Sequence, residues 1–424
     1  MVVEEEDKPR ARWFGNAMRR DIGHQGGRGK TAAFPRIGRI LSVFLLLLAV
    51  GAELLPQKRS PAEIPDDLKK TLVEYVQEHG MNPEDYVVSK FQDHDIVFVG
   101  EHHLIKHDVE LIQSLIPILY KNGIRDLGIE FGCYELQGQV DALITAETYD
   151  ADLARRLMFQ WGSYWPYVEY LDLYRKAWEL NRSLPEGAPK FRIVNLDYRP
   201  RWDLLTDDMT EGLWNRVFFR GPRDRHMARV IIDEFAKKKK KALVYMGQHH
   251  AFTRFYKPEY DFRMKRLIGV RKRGAGNLVW LKIRGKAFNI CLHYPWTTTA
   301  GPRTYDYPVD GVVDRVMRDF EPPHVGFDVV GSPFHRLGDR GAIYSAGRKK
   351  FAFGDFCDGY LFLKPFGECE GCTVDPLSIT PENFDEAVVN LPNMNLKRKI
   401  KTVAQFLERM KRYTDIKRFY PDLE

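Results

Sequence analysis

The chain has 424 residues, with 65 Lys and Arg against 58 Asp and Glu, a net charge of +7. Hydrophobic residues at 44% and aromatics at 13% are enough to build a core, which excludes a chain disordered throughout. A single candidate apolar span excludes a polytopic membrane protein, and the surplus charge is not gathered into one long basic face, so no nucleic acid partner is expected.

Residues 1–39 form a basic, polar leader with nine Lys or Arg against five acids. An apolar run follows from Ile40 to Ala52, broken only by Ser42; it falls short of the roughly 20 residues a spanning helix needs. It fits the core of a secretory signal, with Ala49, Gly51 and Ala52 near a cleavage point. Taken as 40–55, with Leu54 and Leu55, it fits a single anchor that would make the membrane a partner. The basic leader would stay inside and the rest be exported. Both alternatives put 57–424 outside the cytoplasm, membrane-anchored or secreted (periplasmic in a bacterium). A buried hydrophobic helix is the third reading.

Residues 57–95 read as a linker and one helix, Leu68–His79. The segment 90–365 reads as one α/β domain. Ile96–Val99 is a β-branched run ending in Gly100. Val109, Ile112, Ile116 and Leu119 then share one helix face, with Pro117 expected to kink it. Leu127–Phe131 is a strand about one βαβ unit later. Helices are predicted over Glu135–Met158, Tyr167–Leu180 and Asp224–Ala236, and strands over Phe191–Leu196 and Leu243–Met246. Leu278–Ile283 and Phe288–Leu292 read as a hairpin around Arg284–Ala287. Phe327–Val330 and Tyr360–Leu363 are further strands. Residues 366–424 form an extension with a basic helix, Val403–Tyr413. The fold class is α/β: a mostly parallel central sheet flanked by helices on both faces, with a hairpin-rich C-terminal elaboration.

Cysteines stand at 133, 291, 357, 369 and 372. Cys369-Glu370-Gly371-Cys372 is a lone CxxC; zinc would want a second pair. An exported location predicts a structural disulfide near the C-terminus.

The strand exits carry the chemistry. Gly100-Glu101-His102-His103, Glu130, Asn195-Leu196-Asp197 and Gly247-Gln248-His249-His250 fall at or past the carboxyl ends of predicted parallel strands, where open α/β sheets bind ligands. Turn chemistry favours Gly, Asn, Asp or Ser at such exits and does not explain Glu and His. Two acids and two imidazoles meeting at one edge could transfer protons near neutral pH. Glu101, His103, Glu130 and His250 are the catalytic candidates; His102, His107, Asp197, Arg223 and His249 are binding candidates. Plainer readings stand beside these: Glu130 paired with an arginine, one of His249 and His250 as a core residue, and Asp224 as a helix cap. His103 and His107 stand four apart at a helix start, a spacing that directs both to one ligand. Leu104 stands where zinc proteases of the His-Glu-x-x-His type carry their catalytic Glu.

These motifs, Val99-Gly100-Glu101-His102-His103, Ile129-Glu130, Arg223-Asp224-x-x-Met227-Ala228 and Gly247-x-x-His250-Ala251, resemble the ChaN-like and erythromycin-esterase-like superfamily, which has Tiki-type distant relatives. The Gly-Glu-x-His form is closer to the haem-binding ChaN-like lipoproteins; the esterases carry one more residue between that Glu and His. The resemblance implies a parallel α/β core with a cleft over the strand ends, and puts Glu101, His103, Glu130 and His250 at functional positions. Three functions stay open. One is a hydrolase of a small-molecule or peptide substrate, with His103 as general base, Glu101 or Glu130 orienting it, and His250 aiding the oxyanion or leaving group. No Gly-x-Ser-x-Gly is present, so water attacks directly. The second is a haem- or iron-binding protein, with Tyr198 near the cleft and Trp161–Tyr167 lining a slot. The third is a metal-dependent peptidase with a divalent metal on His103, His107 or His250 and Glu101.

Overall fold

The computed structural model describes residues 61 and 63–423. Its strands are β1 (Ile96–Glu101), β2 (Asp126–Cys133), β3 (Arg192–Asp197), β4 (Ala242–Gly247), β5 (Lys257–Asp261), β6 (Arg266–Arg271), β7 (Ala287–Leu292), β8 (Trp296–Thr297), β9 (Tyr305–Asp306), β10 (Val325–Asp328) and β11 (Gly359–Phe362). Seven form one sheet in the order β10-β11-β7-β1-β4-β2-β3; β5-β6 and β8-β9 are separate antiparallel pairs. Every pairing in the main sheet is parallel except β10 with β11. The α/β class and the hairpin elaboration stand as read from the sequence.

The helices needed below are α1 (Asp66–His79), α2 (Pro83–Ser89), α3 (Lys106–Lys121), α4 (Gln137–Thr145), α5 (Ala151–Trp161), α6 (Val168–Ser183), α7 (Glu211–Val217), α8 (Arg223–Ile231), α9 (Gln248–Ala251) and α10 (Ala275–Ile283). The strand period of two sorts the core. Val97 and Val99 of β1 and Leu243 and Tyr245 of β4 join Ile112, Leu115 and Tyr170 of α3 and α6 on one face. Ile96, Phe98, Val244 and Met246 meet Met227, Ile231 and Val279 of α8 and α10 on the other. Central strands buried on both faces need unbroken apolar runs, which is why β1 and β4 are buried at every position. A third cluster, with Trp296, Phe327, Phe356 and Tyr360, fills the C-terminal elaboration.

Two predicted elements differ. The hairpin over 278–292 is α10 followed by β7, and β7 runs parallel to β1. The Asn277 side chain accepts the Gly274 N–H at 3.0 Å and fixes the helix start, and Arg284 at φ 41° ends the helix. The single helix predicted over 135–158 is α4 and α5, divided where Asp150 accepts the Leu153 N–H at 2.8 Å.

The expected membrane partner, and the membrane-anchored or secreted location, are corrected. Among the described residues no helix is long and apolar enough to cross a membrane, and the run over 40–55 and the leader over 1–39 lie outside them. The expected disulfide is also absent: all five cysteines are free and buried.

Candidate functional site

Parallel strands of one hand deliver their exits to one rim. Glu101 ends β1 opposite Gly247, the last residue of β4, and Glu130 lies in β2 on the far side of β4. Glu101 is buried and holds three partners. Tyr170 of α6 donates to both carboxylate oxygens at 2.9 Å, and the Tyr245 hydroxyl of β4 donates to Oε2. His103 Nδ1 stands 2.6 Å from Oε1. A carboxylate accepts, so Nδ1 carries the proton and Nε2 keeps the lone pair of the neutral ring. The His103 side chain is 39% exposed. Burial alone would push the imidazole pKa down; the bond to Glu101 and the charges of Glu101 and Glu130 outweigh it and raise it.

Backbone geometry supports this pair. Leu104 takes φ 73°, a left-handed conformation costly for a bulky residue. Its N–H donates to Tyr170 Oη at 3.2 Å, so the tyrosine that clamps Glu101 also holds the turn behind His103.

A second carboxylate–imidazole pair faces the first. His250 Nδ1 stands 2.6 Å from Asp224 Oδ1, and that oxygen also accepts the Ala275 N–H at 2.9 Å. Burial would raise the Asp224 carboxyl, but His250, Arg271 and the Ala275 N–H bring it below the usual range. Asp224 makes no cap bond for α8, so the capping alternative gives way to an orienting contact.

Glu130 lies between the pairs. Its Oε2 accepts the Gly247 N–H at 2.9 Å; its Oε1 meets Arg223 Nη2 at 3.1 Å and His250 Nε2 at 3.5 Å. Burial would raise Glu130; the charges of His250, His103 and Arg223 and the Gly247 N–H lower it. Arg223 Nε donates to Asp197 Oδ2 at 2.6 Å, and Trp161 Nε1 donates to the same oxygen at 3.1 Å. Asp197 Oδ1 has no partner, and there burial wins: its carboxyl is raised despite Arg223. Gly247 is required by close approach. A Cβ there would lie 2.7 Å from His103 Cε1, 3.0 Å from Nε2 and 3.4 Å from Glu130 Oε2.

The structure therefore brings together Glu101, His103, Glu130, His250, Asp197 and Arg223. It does not bring in the other three. His102 contacts Tyr420 Oη at 3.2 Å and Tyr294, and burial lowers it to about 4. His249 Nε2 stands 2.7 Å from Tyr344 Oη, and burial pushes it down. His107 is buried beside Asp108 and lowered to about 3, first by burial and then by the Lys364 charge. The expectation that His103 and His107 share one ligand fails because α3 starts only at Lys106, so the pair is not separated by one helical turn. Tyr198 is engaged too: its hydroxyl donates to the Gly221 carbonyl at 2.5 Å. Sequence reasoning missed Tyr170 and Tyr245, and Asp224 as a partner of His250.

Among the described residues no group of three or more His, Cys, Asp or Glu side chains is arranged to hold a metal ion. The rim's carboxylates already accept from tyrosines, arginine, imidazoles and backbone N–H groups. The apolar neighbours of His103 are buried aromatic rings. Phe131 and Trp165 stack at 5.1 Å between ring centres, and both meet the His103 ring edge to face, at 5.6 and 5.1 Å.

No protein-family model matches the chain, and no curated protein matches it. Among solved structures it is similar to a succinoglycan biosynthesis protein (TM-score 0.49, 10% identity, 74% of this chain and 100% of that one). It is also similar to a Bacillus cereus protein (TM-score 0.45, 11% identity, 70% and 97%). A third is ChaN of Campylobacter jejuni, described for cofacial haem binding (TM-score 0.35, 14% identity, 52% and 89%). At these identities the likeness is one of chain path and does not extend to activity.

Proposed function

We propose that the protein is a hydrolase that activates water at this rim. The observation behind the reading is the pairing of two imidazoles, each oriented by its own carboxylate, across a shared Glu130–Arg223 ion pair. His103 takes a proton from water through Nε2, while Glu101 holds its tautomer and stabilises the imidazolium. His250, oriented by Asp224, delivers a proton to the leaving group or steadies the oxyanion. Positioned acid–base groups of this kind contribute roughly 10²–10⁴-fold.

The test is turnover of a series of p-nitrophenyl esters and amides by the full chain. His103→Ala should remove turnover while the thermal midpoint moves by no more than about 4 °C, the shift expected of a change of about 1 kcal/mol in a chain of this size or smaller. Equal turnover by the variant would refute the assignment.

Haem or iron binding is the second reading, supported by the aromatic rings of Phe131 and Trp165 against the His103 ring. His103 would hold the group, and the group would supply ligand binding or redox chemistry there. Haem titration separates the two: a Soret band lost in His103→Ala, without ester turnover, favours this reading over the first.

A further inference from the structure

The thiols of Cys369-Glu370-Gly371-Cys372 are buried and free, and they take no part in the rim chemistry. The backbone of this segment does reach the rim. Residues 370–374 run as a strap along two loops that carry site residues. The Glu370 carbonyl accepts the Lys106 N–H at 2.9 Å, and the Cys372 N–H donates to the Leu104 carbonyl at 2.9 Å, an antiparallel bridge between Ile105 and Gly371. Next along the strap, the Thr373 carbonyl accepts the Val168 N–H at 2.9 Å, at the start of α6.

Leu104 is therefore held by both of its backbone polar groups, the carbonyl by Cys372 and the N–H by Tyr170 Oη at 3.2 Å. A bulky residue at φ 73° persists only where its surroundings fix it. His103 directly precedes Leu104, so the aim of the imidazole depends on this turn. Glu169 closes the arrangement. It is buried, at 5% exposure, and immediately precedes Tyr170. Its Oε2 accepts the Thr373 N–H at 2.8 Å and its Oε1 accepts the Thr373 hydroxyl at 2.8 Å. Hydrogen bonds to an ionised carboxylate are among the stronger ones. One carboxylate thus ties the strap to the turn of α6 that carries Tyr170, and Tyr170 holds both Glu101 and Leu104.

We propose that Glu169 is a positioning residue for His103: through Thr373 it locks the strap to α6 and so fixes the left-handed turn at Leu104 from both sides. The effect on turnover rests on the hydrolase reading; the setting of the His103 ring is measurable without turnover.

The experiment uses the full chain and two readouts. One is kcat and KM for the p-nitrophenyl esters. The other is the NMR titration of the His103 ring, assigned by its loss in His103→Ala. Glu169→Met removes both acceptors and keeps the stem. It should lower kcat by about tenfold or more while KM changes by less than about twofold. The His103 titration should move toward the ordinary imidazole value as the bond to Glu101 loosens; Glu101, Glu130 and Arg223, whose charges act on the ring, are all unaltered in this variant. Glu169→Gln keeps an acceptor for the Thr373 N–H and should restore most of both readouts. Gly371→Ala, whose methyl would overlap the Thr414 carbonyl oxygen, displaces the strap without touching Glu169. It should act in the same direction and guards against a misfolded Glu169→Met. Lys397→Met cuts a different tie of the same extension, to the Trp202 carbonyl, and should leave both readouts in place. An unshifted His103 titration in both Glu169→Met and Gly371→Ala would overturn the inference, as would an equal change in Lys397→Met. A shifted titration in a parent protein that turns over no ester supports the positioning role and overturns the hydrolase reading alone.

Discussion

Arg223→Met is the perturbation that most directly tests how the rim is held together. Arg223 is the shared counter-charge of two buried acids, meeting Glu130 at 3.1 Å and Asp197 at 2.6 Å. Its side chain is 12% exposed, that of Glu130 2% and that of Asp197 0%. Methionine keeps the apolar stem and removes the charge, stranding two buried carboxylates without their shared counter-charge. Breaking a buried pair from one side costs about 3–5 kcal/mol. The guanidinium over the Trp161 ring, at 5.6 Å, adds about 0.5–1 kcal/mol. Guanidinium chloride unfolding at pH 7 and pH 5 reads the loss. Glu130 lies below its ordinary carboxylate range when folded, so its contribution is present above that range and is lost as pH falls through the folded value. Without Arg223 both acids protonate more readily, so the deficit against the parent protein should be largest at pH 7 and shrink at pH 5. Adding Glu130→Gln and Asp197→Asn should recover most of it. A deficit under about 1 kcal/mol at pH 7, the size of an exposed pair, would refute the reasoning, as would a deficit that grows on acidification.

Asp224→Asn should lower kcat for the p-nitrophenyl series by about 10²-fold or more with little change in KM, because His250 loses the carboxylate charge that stabilises its protonated form. His103 is raised above the ordinary imidazole value, so the free base forms only at higher pH and the acidic limb of kcat/KM should lie on the alkaline side of that value. Glu101→Gln removes the bond and charge that raise His103, and the limb should move toward lower pH; a limb that stays in place assigns it to another group. Gly247→Ala puts a methyl 2.7 Å from His103 Cε1, and turnover should fall by about 10²-fold through displaced geometry while the protein stays folded by circular dichroism.

The central strands β1 and β4 were legible because each is an apolar run with an unusual exit. A buried strand needs the first, and turn chemistry does not supply Glu or His for the second. Convergence of Glu101, Glu130 and His250 then follows from parallel strands sharing one edge. What failed depended on single backbone torsions or on side-chain reach. Leu104 at φ 73° separates His103 from α3, and no spacing rule in the sequence marks a left-handed leucine. Leu278–Ile283 is apolar at nearly every position, so periodicity does not distinguish helix from strand; the Asn277 bond that decides it is a local cap. Tyr170 and Tyr245 look like core aromatics by their spacing, and they are buried. A buried tyrosine hydroxyl needs an acceptor, and that requirement is the signal that could have tied both to Glu101.

The saturation of both acids limits the roles open to them under the proposed hydrolase reading. Glu130 accepts from Gly247 on one oxygen and meets Arg223 and His250 on the other. Glu101 accepts from Tyr170, Tyr245 and His103. A carboxylate whose lone pairs are already engaged is a weak nucleophile, because attack would require breaking those bonds in a buried place where nothing replaces them. Both acids therefore act through the imidazoles beside them. The group left to meet water is His103 Nε2, on the most exposed of the four side chains. A covalent glutamyl intermediate trapped on Glu101 or Glu130 during ester turnover would contradict this division of labour.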